Sequence, residues 1–324
     1  MSEVLPIDRI SARALPQTQG KLFLTDGGLE TTLLFQDGID LRCFASIDLL
    51  RKPGGREHLK RYFETYLAIA HLSRTGFILE SATWRASPDW AGPLGVSLGE
   101  LERLNREAIA LLHELRLEHE TVHTPIVISG CIGPRGDGYD PGAAMSAGAA
   151  QDYHAWQLRV LKESGVDMIA AITMTNVPEA VGIARAARSA GLPVAISFTL
   201  ETDGRLPTGD DLGAAIEAVD KATEGYPAYY MINCAHPTHF AGALAQGGDW
   251  LARIRGIRAN ASKRSHAELD EATELDCGDP EELGADYKAL LASHLQIKVI
   301  GGCCGTDHRH VGAMAQAIAP VPVG

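Results

Sequence analysis

The prediction of the fold starts from the heptapeptide IGGCCGT at residues 300–306. It follows the apolar, β-branched run LQIKV at residues 295–299, which predicts a short buried strand. On a regular strand neighbouring side chains point to opposite faces, so Cys303 and Cys304 would be held apart. Glycines on both sides of the pair free the backbone to turn, which lets both sulfurs converge. We therefore expect two neighbouring thiols at the carboxyl end of a strand.

A third thiol occupies a similar setting. Cys234 follows Asn233 at the end of the apolar run AYYMI, residues 228–232. Three thiols delivered from two strand ends fit zinc, which accepts soft thiolates and in catalytic sites keeps three protein ligands and one open position. On the residues alone, a disulfide between Cys303 and Cys304 and cysteines packed as small core residues stay open as alternatives.

The double-cysteine motif, together with Asn233-Cys234, resembles the homocysteine S-methyltransferase family. That family includes the betaine-dependent and S-methylmethionine-dependent enzymes and the zinc module of cobalamin-dependent methionine synthase. The resemblance extends from DGG at residues 26–28 to the terminal helix, and the motif is specific. It implies an α/β fold, a single-domain (β/α)8 TIM barrel, with Cys234, Cys303 and Cys304 as zinc ligands.

The pattern of strands and helices agrees with such a barrel. Eight strand candidates, mostly separated by helical patterns, are what a parallel barrel requires. We expect residues 1–20 to form a surface arm, residues 21–324 to form the barrel, and residues 261–282 to make a charged surface excursion. The strands are predicted at residues 21–25, 76–81, 124–130, 166–171, 191–198, 228–232, 254–260 and 295–299.

Composition limits what the chain can bind and where we expect it. With 324 residues, 45% of them hydrophobic, the chain is long enough for one α/β barrel. A net charge of −12 argues against nucleic acid or an anionic membrane surface as a partner. No apolar run approaches the roughly 20 residues that span a bilayer, and residues 1–8 lack a signal-peptide pattern. Six cysteines in such a chain indicate reduced thiols, so we expect a cytoplasmic protein.

The resemblance also implies substrate contacts. It places Asp26, Gly27 and Gly28 at the amino and carboxylate groups of an amino-acid acceptor, and we add Thr173 and Asn233 to the substrate-binding residues. Trp84, just after the second predicted strand, is a candidate pocket wall and cation–π partner.

The chain departs from the family pattern at one substrate position. Where the family has a glutamate that helps to bind the acceptor's amino group, alignment puts Ile172, followed by Thr173. An apolar side chain cannot accept a hydrogen bond from an ammonium group. We therefore expect weaker recognition of the amino end, its reassignment to Asp26 and a neighbour such as Asn176, or an acceptor thiol without that group. A local shift, with Glu179 or Glu201 supplying the charge, is the alternative.

The chemistry that follows is methyl transfer to a thiolate. A free thiol has a pKa near 8.5, and a coordinating zinc deprotonates it outright. The expected partners are a small thiol acceptor, homocysteine or a related thiol or selenol, and an onium methyl donor such as S-methylmethionine, a betaine-like compound or S-adenosylmethionine. The sequence identifies neither donor nor acceptor, and a homo-oligomer stays open.

Two other functions compete with methyl transfer. A non-catalytic zinc barrel that senses redox state through Cys303-Cys304 would form a vicinal disulfide reversibly without turnover. A zinc hydrolase is disfavoured by three thiolates, because hydrolytic sites prefer histidine and carboxylate ligands. Cys131 and the histidines at 236, 239, 308 and 310 lie near the motifs, and we expect them to stay off the metal.

Overall fold

Eight parallel strands close into a barrel in the order of the chain, as a computed structural model of the protein shows. The structure describes residues 15–142 and 144–318. The predicted (β/α)8 barrel is confirmed. The strands are β1 (Phe23–Leu24), β2 (Gly76–Glu80), β3 (Ile126–Ile132), β4 (Met168–Met174), β5 (Val194–Thr199), β6 (Tyr229–Asn233), β7 (Ile254–Ala259) and β8 (Val299–Gly302).

Helices cover the outside of the barrel and most of them follow the strands one by one. Short 3-10 turns occur at Pro16–Gln19, Arg42–Phe44, Ser46–Arg51, Pro88–Trp90 and Asp249–Arg253, and Thr32–Gln36 is a π-helical turn. In the described part of the chain, no helix combines the length and apolar character that a bilayer crossing requires. The α-helices are α1 (Leu29–Thr31), α2 (Gly55–Ser73), α3 (Ala91–Leu94), α4 (Leu98–His119), α5 (Ala147–Glu163), α6 (Val177–Ala190), α7 (Leu212–Thr223), α8 (Pro237–Ala245), α9 (His266–Asp270), α10 (Pro280–Ser293) and α11 (His308–Ile318).

Two strands differ from their predicted bounds in ways that matter for the site. β8 begins at Val299, so the run before it is a connection, and Leu295 in that run is 72% exposed. The glycines of the motif are therefore part of the strand itself. β4 continues to Met174, so Ile172 and Thr173 lie within the strand, near its carboxyl end, and not after it.

The core forms two layers because side chains alternate along each strand. One cluster lies inside the barrel and the other between the strands and the helices. The inner cluster includes Phe23, Ile78, Val127, Met168 and Tyr229. Almost every strand residue is consequently buried, which explains the near-continuous apolar runs in the sequence.

The end of the barrel opposite the cysteines is closed by the 3-10 turn Pro16–Gln19. Gln17 is 1% exposed, and its amide donates to the Tyr229 hydroxyl at 3.3 Å. Residues 1–14 of the expected surface arm lie outside the described residues, but the part that the structure describes is packed against the barrel. Leu15 and Gln17 of the expected surface arm are therefore buried, whereas Gln19 and Gly20 are exposed.

The charged segment at residues 261–282 contributes residues to the cavity as well as to the surface. Its helix α9 begins with a capping box between Ser265 and Glu268. Ser262 and His266 are buried, and Ser262, Leu269 and Asp276 line the cavity at the carboxyl ends of the strands. This segment therefore forms one wall of the barrel mouth, while most of its residues are exposed or half-buried.

Candidate active site

Three cysteine sulfurs converge at the carboxyl ends of β6 and β8. The ligand atoms of Cys234, Cys303 and Cys304 all lie within 4.8 Å of one another. The sulfurs of Cys234 and Cys303 are in direct contact, as in a disulfide, and the sulfurs of Cys234 and Cys304 are 4.0 Å apart. The Cys303 sulfur therefore lies against the Cys234 sulfur as well as close to that of its chain neighbour Cys304.

Glycines are required where the last strand reaches the site. A Cβ on Gly301 would collide with the Thr25 hydroxyl, and one on Gly302 would collide with the Thr306 hydroxyl. Cys234 turns out of β6 with a φ of +54°, a left-handed conformation that is uncommon for a residue with a side chain. These two backbone turns direct thiols from separate strands towards one point.

Strand β7 lies between β6 and β8 and holds the two cysteine loops in place. The Cys303 N–H donates to the Ala259 carbonyl at 2.8 Å, and the Cys234 N–H donates to the Arg258 carbonyl at 3.2 Å. Tyr287 on α10 donates to the Gly301 carbonyl at 2.6 Å and accepts from the Ala259 N–H at 2.9 Å. The separation of the thiols is thus set by backbone hydrogen bonds.

The structure gives Asn233 a different task from the predicted substrate contact. Its side chain is fully buried; Oδ1 accepts from the Thr173 N–H at 2.9 Å and from the Ser197 hydroxyl at 2.6 Å. Its Nδ2 donates to the Thr173 hydroxyl at 2.9 Å and lies 3.8 Å from the Cys303 sulfur. Asn233 therefore ties β4, β5 and β6 together beneath the thiols, and does not line the cavity.

Thr173 lies in a strained turn that these hydrogen bonds maintain. Its φ is +66°, where β4 shifts its register against β5 between Ala171 and Met174. A β-branched residue in that region costs on the order of 1–3 kcal/mol, which Asn233 offsets. Thr173 and Ile172 both line the cavity, so the turn presents two successive residues of one strand to the site.

The predicted glycines Gly27 and Gly28 allow a close approach between the first strand and the cysteine loop. A Cβ on Gly28 would lie 2.6 Å from the Cys303 carbonyl oxygen, and one on Gly27 would lie 2.8 Å from the Thr306 carbonyl oxygen. The Gly28 N–H already donates to that Thr306 carbonyl at 3.0 Å. The structure therefore shows a packing role for both glycines, and the Gly28 N–H is not directed at a ligand.

A buried ion-pair network forms one side of the cavity. The Arg258 guanidinium donates to Asp26 Oδ1 at 2.7 Å, to Glu80 Oε2 at 2.5 Å and to the Gly302 carbonyl at 3.0 Å. The Tyr62 hydroxyl donates to the second Asp26 oxygen at 3.0 Å. Asp26, Glu80 and Arg258 are 3%, 5% and 6% exposed, so two carboxylates share one cation away from bulk water.

Burial dominates the protonation of these carboxyl groups. It raises the pKa of Asp26, against the opposing effects of Arg258 and Tyr62. Burial, with the neighbouring Asp26 charge, also raises the pKa of Glu80 to about 7, although Arg258 acts in the other direction. Cys131 faces the same network from β3; burial and then Glu80 hold its pKa well above the ordinary thiol value. Cys131 is therefore a neutral thiol, outside the sulfur cluster.

An open cavity of about 530 Å³ lies over the sulfurs and this network. Trp84 lines it as predicted, but its cation partner is already part of the protein. The Arg85 guanidinium lies 4.9 Å from the Trp84 ring centroid and 4.6 Å from that of Trp90. Arg85 is thus a cation of the protein that already lies beside Trp84, and a contact of this ring with a donor stays a prediction. Tyr139 lies nearer the thiols, with its hydroxyl 3.4 Å from the Cys304 sulfur.

The four neighbouring histidines do not join the sulfur cluster among the described residues. His236 caps the start of α8, and His310 bonds Asp307 and the Cys277 carbonyl. His266 was not predicted as a site residue, but it lies close to the site. Its Nε2 is 2.6 Å from the Cys234 carbonyl oxygen. Its ring stacks on Tyr139 with centroids 4.0 Å apart.

Glu80 and Arg258 were also missed as site residues. Glu80 is the last residue of the strand GFILE, and Arg258 is the second-to-last residue of IRGIRA, which also contains Arg255. In a barrel that position faces the active-site end. The position of each charge at a strand end could be seen in the sequence. That β2 and β7 bring Glu80 and Arg258 together across the barrel mouth could not.

Comparisons with known proteins agree with this architecture. A model of the homocysteine S-methyltransferase family matches residues 23–318. Homocysteine S-methyltransferase 1 of Arabidopsis thaliana is 23% identical, covering 92% of this chain and 93% of the relative. Selenocysteine Se-methyltransferase of Brassica oleracea var. italica is 25% identical, covering 94% and 91%. The homocysteine methyltransferase MmuM of Escherichia coli superposes in its oxidized form with a TM-score of 0.73 at 21% identity, covering 94% and 99%. Its metallated form gives 0.70 at 20% identity, with the same coverage.

The fold and the site define a (β/α)8-barrel enzyme with a three-thiol centre at the carboxyl ends of its strands. Because the family model spans nearly all of the barrel, the chain belongs to the homocysteine S-methyltransferase family. It is accordingly an S-methyltransferase.

Proposed function

We propose that the protein is a zinc-dependent enzyme that moves a methyl group from an onium donor to the thiolate of homocysteine or a related thiol or selenol. The observation that supports this most strongly is the convergence of three sulfurs from two strands beside an open cavity. The product is a thioether, methionine in the case of homocysteine, or its selenium analogue. The donors we consider are S-methylmethionine, betaine-like compounds and S-adenosylmethionine.

The residues present fit zinc. Cys234, Cys303 and Cys304 offer three soft ligand atoms within 4.8 Å of one another, and the cavity leaves a direction for a fourth ligand from outside the protein. Zinc bound there would supply the Lewis acidity that keeps the acceptor's sulfur deprotonated at neutral pH. The E. coli relative MmuM, which has been solved in a metallated form, is consistent with this proposal.

The chain's own residues contribute position and exclusion of water. The backbone bonds from β7 fix the distance between the cysteine loops, and Asn233 holds Cys303 from below. The wall made by residues 261–282 and Tyr139 narrows the access to Cys304. Methyl transfer then needs the thiolate sulfur in line with the bond between the methyl carbon and the onium atom.

The bond changes balance without a redox partner. The acceptor thiol gives its proton to solvent on binding, and its sulfur forms the new bond to the methyl carbon. The bond from that carbon to the donor's sulfonium or ammonium atom breaks, and its electron pair stays on the leaving atom, which becomes neutral. No side chain has to act as a general base, which agrees with the neutral state of Cys131.

A product assay on zinc-loaded protein tests the proposal. Homocysteine is incubated with each sulfonium and quaternary ammonium donor, products are identified by mass spectrometry, and bound zinc is measured by elemental analysis. We expect one zinc per chain and a methylated thiol with at least one donor. Cys277→Ser, which removes a half-buried thiol outside the cluster, is the matched control and should keep zinc and turnover.

Two results would contradict the proposal. One is full activity in protein from which the metal has been removed. The other is the absence of any methylated thiol with every donor in zinc-loaded protein. We also place the enzyme in the cytoplasm, because the proposed chemistry requires reduced thiols.

A further inference from the structure

A short segment after β3 crosses the mouth of the barrel. β3 and β7 lie opposite each other, because they are four positions apart in a closed barrel of eight strands. Residues 137–139 follow β3 and line the cavity, yet Tyr139 contacts His266 on α9, which follows β7. The two rings stack with their centroids 4.0 Å apart and their planes at 24°. The segment therefore joins two opposite sides of the mouth.

Contacts at each residue hold this segment in place. One oxygen of the Asp137 carboxylate lies 3.3 Å from the Arg85 guanidinium, and the other accepts from the Tyr139 N–H at 2.8 Å. Gly138 is buried, and a Cβ there would lie 3.0 Å from the Trp84 ring. The half-buried Tyr139 side chain is thus directed by its neighbours towards the interior of the mouth.

The stacked pair of Tyr139 and His266 contacts both cysteine loops. The Tyr139 hydroxyl lies 3.4 Å from the Cys304 sulfur. The buried His266 ring has its Nε2 at 2.6 Å from the Cys234 carbonyl oxygen, and since a carbonyl oxygen only accepts, Nε2–H is the donor. The pair thus links the Cys304 sulfur to the Cys234 backbone through side chains, independently of the backbone bonds from β7.

A metal-bound sulfur fixes the direction of the hydrogen bond from the tyrosine. A thiol gives up its proton when it binds a metal, so the Cys304 sulfur could then only accept, and the Tyr139 hydroxyl would donate. Three thiolates carry more negative charge than the two positive charges of zinc offset. A donor to one of these sulfurs stabilises the excess charge. Groups that hydrogen-bond metal ligands typically change metal affinity or activity by about 10- to 100-fold.

We propose that Tyr139 is a positioning residue of the thiol centre. Its hydroxyl donates to the Cys304 sulfur, and its ring, stacked on His266, holds that sulfur at a fixed distance from the Cys234 loop. The inference rests on the proposed function, because it concerns the thiols that would hold zinc. It assigns part of the support of these thiols to the segment after β3, on the side of the barrel opposite β7.

The rate of zinc release tests the hydroxyl and the ring separately. Zinc-loaded wild type, Tyr139→Phe and Tyr139→Leu are mixed with a chromogenic chelator at equal metal content, after circular dichroism has shown an intact barrel. We expect Tyr139→Phe to release zinc about tenfold faster than the wild type. Tyr139→Leu, which also loses the stacked ring, should release it faster still.

Tyr226→Phe is the matched control for this experiment. It removes a hydroxyl that donates to the Leu192 carbonyl at 2.9 Å, before β5 and outside the sulfur cluster, and it should keep the wild-type rate. Equal release from wild type and Tyr139→Phe would overturn the inference. Equal release from Tyr139→Phe and Tyr139→Leu would overturn the contribution of the ring.

The cobalt(II)-loaded protein distinguishes a hydrogen bond to sulfur from a general loosening of the loop. Thiolates bound to cobalt absorb in the near ultraviolet by charge transfer from sulfur to metal. Loss of a hydrogen bond to the sulfur makes its electrons easier to remove. We therefore expect this band to move to longer wavelength in Tyr139→Phe and to stay unchanged in Tyr226→Phe. Faster zinc release without a band shift would overturn the hydroxyl's role as donor.

The outcomes separate this inference from the function on which it rests. Zinc retention that depends on the Tyr139 hydroxyl, in a protein that methylates no thiol, would refute the proposed function alone. Methyl transfer by a protein whose Tyr139→Phe variant retains zinc like the wild type would refute the positioning role alone. A protein whose three thiols take up neither zinc nor cobalt would refute both.

Discussion

Replacing Glu80 with glutamine should make the protein more stable at alkaline pH. Glu80 is buried beside Asp26, just after β1, and Cys131 on β3, with Arg258 of β7 as its only bonded cation among the described residues. Its pKa of about 7 lies above the usual 4.5, so the folded state holds this proton more tightly than the unfolded state. The stability that this group contributes is complete below about pH 4.5 and is lost as pH rises through about 7.

The size of the effect follows from the two pKa values. The Glu80 carboxyl group has a pKa of about 4.5 in the unfolded state and about 7 in the folded state. This difference lowers the free energy of unfolding by roughly 3 kcal/mol by about pH 8. Glutamine resembles the protonated carboxyl group in both states, so Glu80→Gln should match the wild type at about pH 4. Near pH 8 it should exceed the wild type by about 3 kcal/mol.

Urea unfolding followed by circular dichroism at several pH values, with equal zinc content in all samples, measures this difference. Glu217→Gln, at an exposed position on α7, is the control for a change of net charge and should show no comparable dependence. If Glu80→Gln is less stable than the wild type near pH 8, the ion pair with Arg258 outweighs the cost of burial. The reasoning about Glu80 would then be wrong.

Three further perturbations address the metal site and its support. Cys234→Ser and Cys304→Ala should abolish turnover and lower the zinc content while the far-ultraviolet circular dichroism of the barrel is kept; normal activity in either would refute the mechanism. Tyr287→Phe leaves the Gly301 carbonyl and the Ala259 N–H without their partner, and should cost about 2 kcal/mol in urea unfolding; a loss below a few tenths would contradict this. Gly302→Ala places a methyl group against Thr306 and should weaken zinc binding about tenfold or more. Gly312→Ala, in open space on α11, is the control and should raise stability by roughly 0.5–1 kcal/mol. Equal zinc affinity in the two variants would contradict the prediction for Gly302→Ala.

The barrel could be predicted because its strands are buried on both faces. Such strands appear as apolar runs separated by helical patterns, and this order of elements favours a parallel barrel. The exact ends were harder to predict. Residues 295–298 have strand-like composition, but the backbone pairing that defines β8 begins at Val299, opposite Phe23 of β1 and Gly256 of β7.

The sulfur cluster was predictable for a different reason. Glycines beside paired cysteines constrain the backbone locally, so the chemistry can be inferred from neighbouring residues. The Asp26–Arg258–Glu80 network was not predictable in this way, because its members come from the segment after β1 and from β7 and β2, and meet only when the barrel is closed. Asn233 was placed near the site, but its hydrogen bonds to Thr173 and Ser197 depend on the turn at the end of β4.

The cysteine pair lies at the seam where the last strand meets the first. β8 pairs with β1 across almost the whole length of the chain, with Val299 opposite Phe23. Contacts so distant in sequence form late in folding, because the loop they close is long. The thiol centre therefore requires the last strand to be in place beside β7. An unfinished chain can present Cys234 alone, and a single thiol holds zinc weakly. If zinc binds there as proposed, metal retention should accordingly distinguish completely folded molecules from partly folded ones.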